Sequence, residues 1–356
     1  MEALKVGGGG RVRTILYCRR SLASDENRAM KHDSPAFQLP QPDLGRWRAG
    51  NTGTTGVWRF ESSAPGRDVL VTALIHGNEL CGAWALLAAL EAGLRPRRGA
   101  LTLAFCNLAA FDTFDPAAPE RARFIDQDMN RVWGAMAWRH AGRAFSREQQ
   151  RATELLPFAD RADWLLDLHS MHHAGPPLLL TGVQPRNAAL AREIGTPALV
   201  VADAGHRDGC RLRDHGRFGQ MNDDGSRSLL IECGFHGELA ARDVAIDMLG
   251  RFLLAAGSVD EADLPAGWLR PLPATQRVLE VTDAVVTIEG EAPRFAAPWH
   301  TGQRIAEAGT LLGWNGGRPF VTPYADCTLI MPSVRQAKAG LTIVRLARDV
   351  KADVNS

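Results

Sequence analysis

Residues 69–90 read VLVTALIHGNELCGAWALLAAL. The run opens as an apolar, β-branched stretch, breaks at His76-Gly77-Asn78, and restarts as an amphipathic helical pattern. A strand that hands over directly to a helix is the repeating unit of a layered α/β sheet. His76 and Glu79 stand at that hand-over, where both groups are costly to bury unless something binds them. Their spacing suggests a metal. Taken alone, His-x-x-Glu also fits a satisfied core histidine followed by a glutamate favoured by the helix dipole, and a chain with ten histidines shows such a pair by chance.

Outward from this stretch, strand and helix patterns alternate. GVWRFES, ALTLAFCN, DWLLDLHS, ALVVAD and SLLIECG read as strands. ELCGAWALLAALEAG, REQQRATELLPFADRA, RNAALAREIG and ARDVAIDMLGRFLLAAG read as helices, the first ended by Gly93. Apolar runs of this length between helices predict an α/β fold, a mixed and largely parallel sheet flanked by helices. Near residue 258 the character changes to a Pro, Gly and acidic linker, and short β-like pieces follow it. We therefore expect a main α/β domain over 34–265 and a small all-β domain over 270–350. Residues 1–33 read as a poorly ordered extension, with Met30 as an alternative start of translation.

Composition narrows the function classes. With 41 basic and 40 acidic residues, the formal charge of +1 offers no global attraction to nucleic acid or to an anionic membrane. No apolar stretch reaches the ~18–20 residues that span a bilayer, and the N-terminus lacks the apolar core of a secretion signal. The six cysteines are scattered without Cys-x-x-Cys spacing, which fits a reducing cytoplasm. The expected partner is a small molecule, and oligomerisation is left open.

In sheets of this kind sites form at the carboxyl ends of strands. His76, Glu79, His169 and Glu232 all fall at such ends. Two histidines and one carboxylate make the open three-ligand set of catalytic zinc, with a fourth position left for water, although the same set also serves iron and other divalent ions. The segment RFIDQDMNRVW, residues 123–133, gathers Arg123, Asn130 and Arg131, residue types suited to a carboxylate or an oxyanion. A solvated loop with salt bridges is the competing reading. Asp167 and His169, two apart on a strand, point to one face, where the carboxylate could orient a metal-binding imidazole.

With HGNE, RFIDQDMNR, DLH and IECG in this order, and LIMPSVRQAKAGLTIVRL near the end, the chain resembles the succinylglutamate desuccinylase and aspartoacylase family over about residues 50–348. That family is a branch of the zinc carboxypeptidase fold. The resemblance implies one zinc ion per chain on His76, Glu79 and His169, Arg123 polarising the scissile carbonyl, Asn130 and Arg131 holding a substrate carboxylate, and Glu232 as general base. It implies hydrolysis of the amide of a small N-acyl amino acid or related carboxylate-bearing amide. A metallocarboxypeptidase acting on small peptides and a catalytically silent binding protein are the alternatives. The family also uses an arginine shortly before the base, and GHRDGCRLRDHGRFGQ offers Arg207, Arg211, Arg213 and Arg217, of which Arg213 and Arg217 are carried forward as substrate-binding candidates. His172 and His173 stand where the two named enzymes differ from this chain, as pocket groups or as a solvated loop. Tyr324 reads either as a contribution of the β segment to the pocket or as a β-core residue.

Overall fold

The structure is a computed structural model that describes residues 37–134, 144–205, 209–223, 225–334 and 338–350. The expectations for residues 1–33, for Met30 and for Arg207 lie outside the described residues. In chain order the main elements are β1 (Val57–Glu61), β2 (Asp68–Ala73), α1 (Leu80–Glu91), β3 (Ala100–Phe105), α2 (Leu108–Phe111), α3 (Arg147–Arg161) and β4 (Trp164–Met171). They continue with β5 (Leu178–Leu180), α4 (Pro185–Ile194), β6 (Leu199–Ala202), β7 (Arg227–Phe235) and α5 (Leu239–Ala255). The last are β8 (Arg277–Val286), β9 (Arg294–Phe295), β10 (Arg304–Ile305), β11 (Leu311–Asn315), β12 (Arg318–Val321), β13 (Cys327–Ile330) and β14 (Thr342–Asp349).

Eleven strands form one mixed sheet in the order β1-β3-β2-β4-β7-β5-β6-β8-β14-β13-β10. The centre, β3-β2-β4-β7, is parallel, and antiparallel pairs close both edges. Helices cover both faces of this centre. α1, α4 and α5 pack on one face through Leu86, Leu90, Leu190, Leu249 and Phe252. On the other, Ala152, Leu155 and Ala159 of α3 meet Leu70 and Leu165 of the sheet. Two covered faces explain why β3 and β4 are buried at every position and therefore read as continuous apolar runs rather than alternating ones.

Three helix ends follow the local chemistry of their sequences. Ser146 caps α3 in a reciprocal box with Gln149, and Gly93 and Gly195 take the left-handed conformation just past α1 and α4. The strands from β8 onward continue the main sheet, because β8 pairs in parallel with β6. β9, β11 and β12 make a separate three-stranded antiparallel sheet. β5 is an element that sequence reading did not anticipate. It is three residues long, follows Pro176-Pro177, and runs antiparallel to β7 with Leu178 beside Glu232. Among the described residues no helix is long and apolar enough to cross a membrane.

Candidate active site

β2 ends against the parallel strand β4, so the hand-over to α1 opens beside the end of β4. Leu74 turns the chain there with φ 59°, a conformation that disfavours a Cβ and persists only where surrounding packing over-determines it. Gly77 permits the next step. A Cβ at that position would come within 2.3 Å of the Phe111 backbone nitrogen and 2.6 Å of the Ala122 carbonyl. The turn therefore lies flat on the segment that leads to Arg123, and Gly77 N–H donates to Arg123 O at 3.2 Å.

This geometry gathers His76, Glu79 and His169, all buried, with one donor atom from each lying within 4.8 Å of the others. Glu79 is the centre. Its Oε1 lies 2.8 Å from His76 Nδ1, and its Oε2 lies 2.7 Å from His169 Nδ1. The outer nitrogens face two further carboxylates: His76 Nε2 meets Asp128 Oδ1 at 2.9 Å, and His169 Nε2 meets Asp167 Oδ2 at 2.8 Å. Thr72 donates its hydroxyl to the other oxygen of Asp167 at 2.7 Å.

The hydrogen bonding tests whether a cation fits. Ionised carboxylates only accept, so each Nε2 carries a proton for Asp128 or Asp167. A neutral imidazole then presents its Nδ1 lone pair, and both lone pairs point at the Glu79 oxygens. Three acceptors facing one another require either doubly protonated rings or a cation among them. Two nitrogens and a carboxylate, each imidazole backed by a second carboxylate, form the usual support of a metal ion. The cluster can hold one.

Glu232 reaches the same place from β7, because His169 and Glu232 are in-register neighbours on adjacent parallel strands. It is buried, and its Oε2 has no hydrogen-bond partner among the described residues. Burial, and then the charge of Glu79, push its carboxyl up to about 8. Glu79 shows the opposite behaviour: burial would raise it, but His76 and His169 outweigh burial and hold it well below the usual carboxylate range. Two nearby carboxylates driven apart in this way are the pattern from which acid–base roles are assigned.

The segment 123–131 supplies the next layer. Glu148 of α3, fully buried, accepts from the backbone N–H of Ile125, Asp126 and Gln127 at 2.7, 3.1 and 3.2 Å and so shapes the loop. Asp128 caps the short turn Met129–Arg131 by accepting from Asn130 N–H at 2.8 Å. Arg123 reaches Asp128 Oδ2 at 3.1 Å and Glu79 Oε1 at 3.3 Å. Asn130 accepts from Leu212 N–H at 2.9 Å, which leaves its amide nitrogen 3.5 Å from His169 Nε2. Arg131 donates to Asn130 O at 3.0 Å and lies 3.8 Å from Asp128.

His76, Glu79, Arg123, Asp128, Asn130, Arg131, His169 and Glu232 line one cavity of about 540 Å³. Its far wall comes from the end of the chain through Met331, Ser333, Lys338, Leu341, Thr342 and Arg345. Of the arginines preceding Glu232, Arg211 reaches this cavity. Arg213 is fully buried instead, donating to Gln184 Oε1 at 3.2 Å and Ser228 Oγ at 3.3 Å, and Gly182 leaves room for its guanidinium. Arg217 lies at the opposite end of β4, bound to Ala162 O and Asp163. Sequence spacing could not separate the three, because the segment coils through two short 3-10 turns, Leu212–Asp214 and Gly216–Gly219, that carry successive arginines away from the cavity. Tyr324 bonds Thr282 at 2.6 Å and packs within the C-terminal apolar cluster, outside the cavity lining.

Sequence reading missed three contributors, Asp128, Glu148 and Arg345, and offered Arg211 without selecting it for the cavity. Asp203 binds Arg211 and Arg345 together at 3.1 and 3.0 Å. A signal for Arg345 existed, since an arginine inside the apolar strand LTIVRLA is costly unless paired.

A model of the succinylglutamate desuccinylase/aspartoacylase catalytic domain matches residues 65–245. The chain belongs to the succinylglutamate desuccinylase/aspartoacylase family. A relative described as a "Probable aspartoacylase", from Parasynechococcus marenigrum, is 34% identical over 133 residues, covering 36% of this chain and 42% of its own length. This family member thus aligns with less than half of that relative. Two solved succinylglutamate desuccinylases share the fold. The one from Vibrio cholerae matches with TM-score 0.61 at 16% identity, covering 83% of this chain and 86% of its own. The one from Vibrio parahaemolyticus matches with TM-score 0.60 at 15% identity, covering 83% and 87%.

Proposed function

We propose that this chain is a zinc-dependent deacylase that hydrolyses the amide bond of a small N-acyl amino acid or related carboxylate-bearing amide. The observation that carries the reading is the convergence of Glu232, buried and with an oxygen in want of a proton donor, on the cavity that holds His76, Glu79 and His169. A binding site alone has no use for such a base. His76, Glu79 and His169 would hold the ion, one per chain, with Asp128 and Asp167 fixing the two imidazoles. A divalent ion bound there supplies Lewis-acid activation of water and of the scissile carbonyl.

Around that chemistry the side chains divide the work. Glu232 takes a proton from the attacking water and passes it to the leaving amine. Arg123 stabilises charge as it develops on the carbonyl oxygen. Asn130 and Arg131 hold a substrate carboxylate. A small substrate is favoured over a peptide because the C-terminal segment lines the cavity as well, through Met331, Ser333, Lys338 and Arg345. Release of amino acids from peptides, with N-acetyl, N-succinyl and N-formyl amino acids left intact, would instead select the carboxypeptidase alternative.

Two expected results follow from the anchoring and the base. Arg131→Ala raises KM for carboxylate-bearing substrates about tenfold to a hundredfold, the loss of a charge-assisted hydrogen bond, with a smaller change in kcat; an unaltered KM assigns Arg131 elsewhere. Because the base must be ionised, kcat/KM rises with pH across the Glu232 titration. The apparent midpoint lies at or below the value of about 8 to which burial and Glu79 push the carboxyl, since a bound cation draws it down. A profile flat through the neutral range would remove Glu232 from the role.

A further inference from the structure

His172 and His236 take no part in the scheme above, yet they form a continuous chain that ends on Arg123. His172 Nε2 lies 3.3 Å from Arg123 Nη1. His172 Nδ1 lies 3.2 Å from His236 Nε2 and 2.9 Å from Glu120 Oε2. His236 Nδ1 lies 2.8 Å from Ser170 Oγ. The two rings meet edge to face, with centroids 4.7 Å apart, and His236 is 2% exposed. His173 takes another course and meets Ser333 at 3.0 Å.

One proton assignment is consistent with the hydrogen bonds at Arg123, His236 and Ser170. A guanidinium only donates, so His172 Nε2 accepts from Arg123. The proton of His172 is therefore on Nδ1, facing Glu120 and the Nε2 lone pair of His236. His236 then carries its own proton on Nδ1 and donates to Ser170. The reverse assignment would set two donors against each other at Arg123. Burial, and then His172, hold His236 well below the usual histidine range, which keeps this ring neutral.

We infer that His172, aimed by His236 and Glu120, is the positioning residue for the Arg123 guanidinium. This rests on reading Arg123 as the group that polarises the carbonyl. The physical point is the neutrality of the contact. Glu79 and Asp128 also hold Arg123, but as anions they offset its charge, and Glu79 is in addition a ligand of the proposed ion. A neutral imidazole fixes the direction of the guanidinium while leaving its positive charge available to a developing oxyanion. The fold makes this arrangement by setting His172 just beyond the end of β4 and His236 just beyond the end of β7, neighbouring strands on which Met171 pairs with Phe235.

The test compares His172→Phe, which keeps a ring but removes the acceptor, with His172→Gln, whose amide oxygen can accept. In the metal-loaded full chain, the Phe variant is expected to lower kcat about tenfold to a hundredfold, as misplacement of a reacting group does, with KM held within about twofold. The Gln variant restores most of the loss. In an Arg123→Ala background, His172→Phe adds less than about a further twofold, because coupled residues are not additive. An activity-independent reading comes from NMR of the arginine side chains: the Arg123 signal, assigned by its disappearance in Arg123→Lys, shifts or broadens in His172→Phe and recovers in His172→Gln. An equal loss of kcat with and without Arg123, or an Arg123 signal unmoved by His172→Phe, overturns the inference. Should wild-type protein hydrolyse no N-acyl amino acid, the deacylase reading fails on its own, and the NMR comparison still decides whether His172 aims the arginine.

Discussion

Glu232→Gln lowers kcat by about 10²–10⁴-fold, the contribution of a positioned general base, and leaves the metal content of the protein unchanged. The expectation follows from where the carboxylate stands. It is an in-register neighbour of His169, one strand away, but none of its atoms belongs to the donor cluster of His76, Glu79 and His169. Glutamine preserves the volume and one acceptor oxygen while removing the basicity. Stability should hold or rise, because burial and the charge of Glu79 already push this carboxyl up to about 8. A group raised in the folded state works against folding as pH climbs from its unfolded value towards its folded one, and the amide has no such penalty. Elemental analysis, a thermal melt and a kinetic assay on N-acyl amino acids measure the three quantities. Turnover at the wild-type rate would remove Glu232 as the base and with it the mechanism.

His169→Ala loses zinc and activity together. In the proposed site the imidazole would supply one of three ligands, so its removal would cost more than the ~10–100-fold in affinity that losing an outer partner such as Asp167 would cause. The alanine variant also strands Asp167, fully buried with Thr72 as its remaining side-chain partner, which adds about 1–3 kcal/mol of destabilisation. Asp167→Asn separates the two effects, because it keeps the ligand while weakening its support. Wild-type protein should melt at a higher temperature with added zinc than with chelator, since an ion that binds the folded state stabilises it. The His169→Ala variant should lose that difference. Unchanged zinc stoichiometry in His169→Ala would take the residue out of the coordination set.

The parts of this protein legible in the sequence are those where local pattern and chemistry coincide. The strand-to-helix hand-over at 69–90, the polar residues at strand ends, and the pairing of Asp167 with His169 on one face depend on periods of 2 and 3.6 residues, which any stretch of chain displays by itself. The helices from α1 to α5 likewise follow from apolar spacing and from caps such as Ser146 and Gly195, α2 being too short to announce itself. β5 was not legible, since three leucines after two prolines carry no period and become a strand only because β7 offers an antiparallel edge.

Other residues took their meaning from partners far along the chain. Glu148 looks like an ordinary first-turn glutamate until residues 125–127 fold onto it, and Arg345 looks like a flaw in a strand until Asp203 arrives from just past the end of β6. Arg211, Arg213 and Arg217 are equivalent as text, and only the coiling of the segment sends one to the cavity, one into the core and one to the far end of β4. His172 was equally open until Arg123, Glu120 and His236 closed around it. Sequence by itself determined the layered α/β architecture and the donor types at the strand ends, because hydrophobic period and ligand chemistry are local properties. Tertiary structure alone decided which arginine faces the cavity, which carboxylates back the histidines, and how the C-terminal segment walls the site, because each depends on contacts between segments that only sheet order and register bring together.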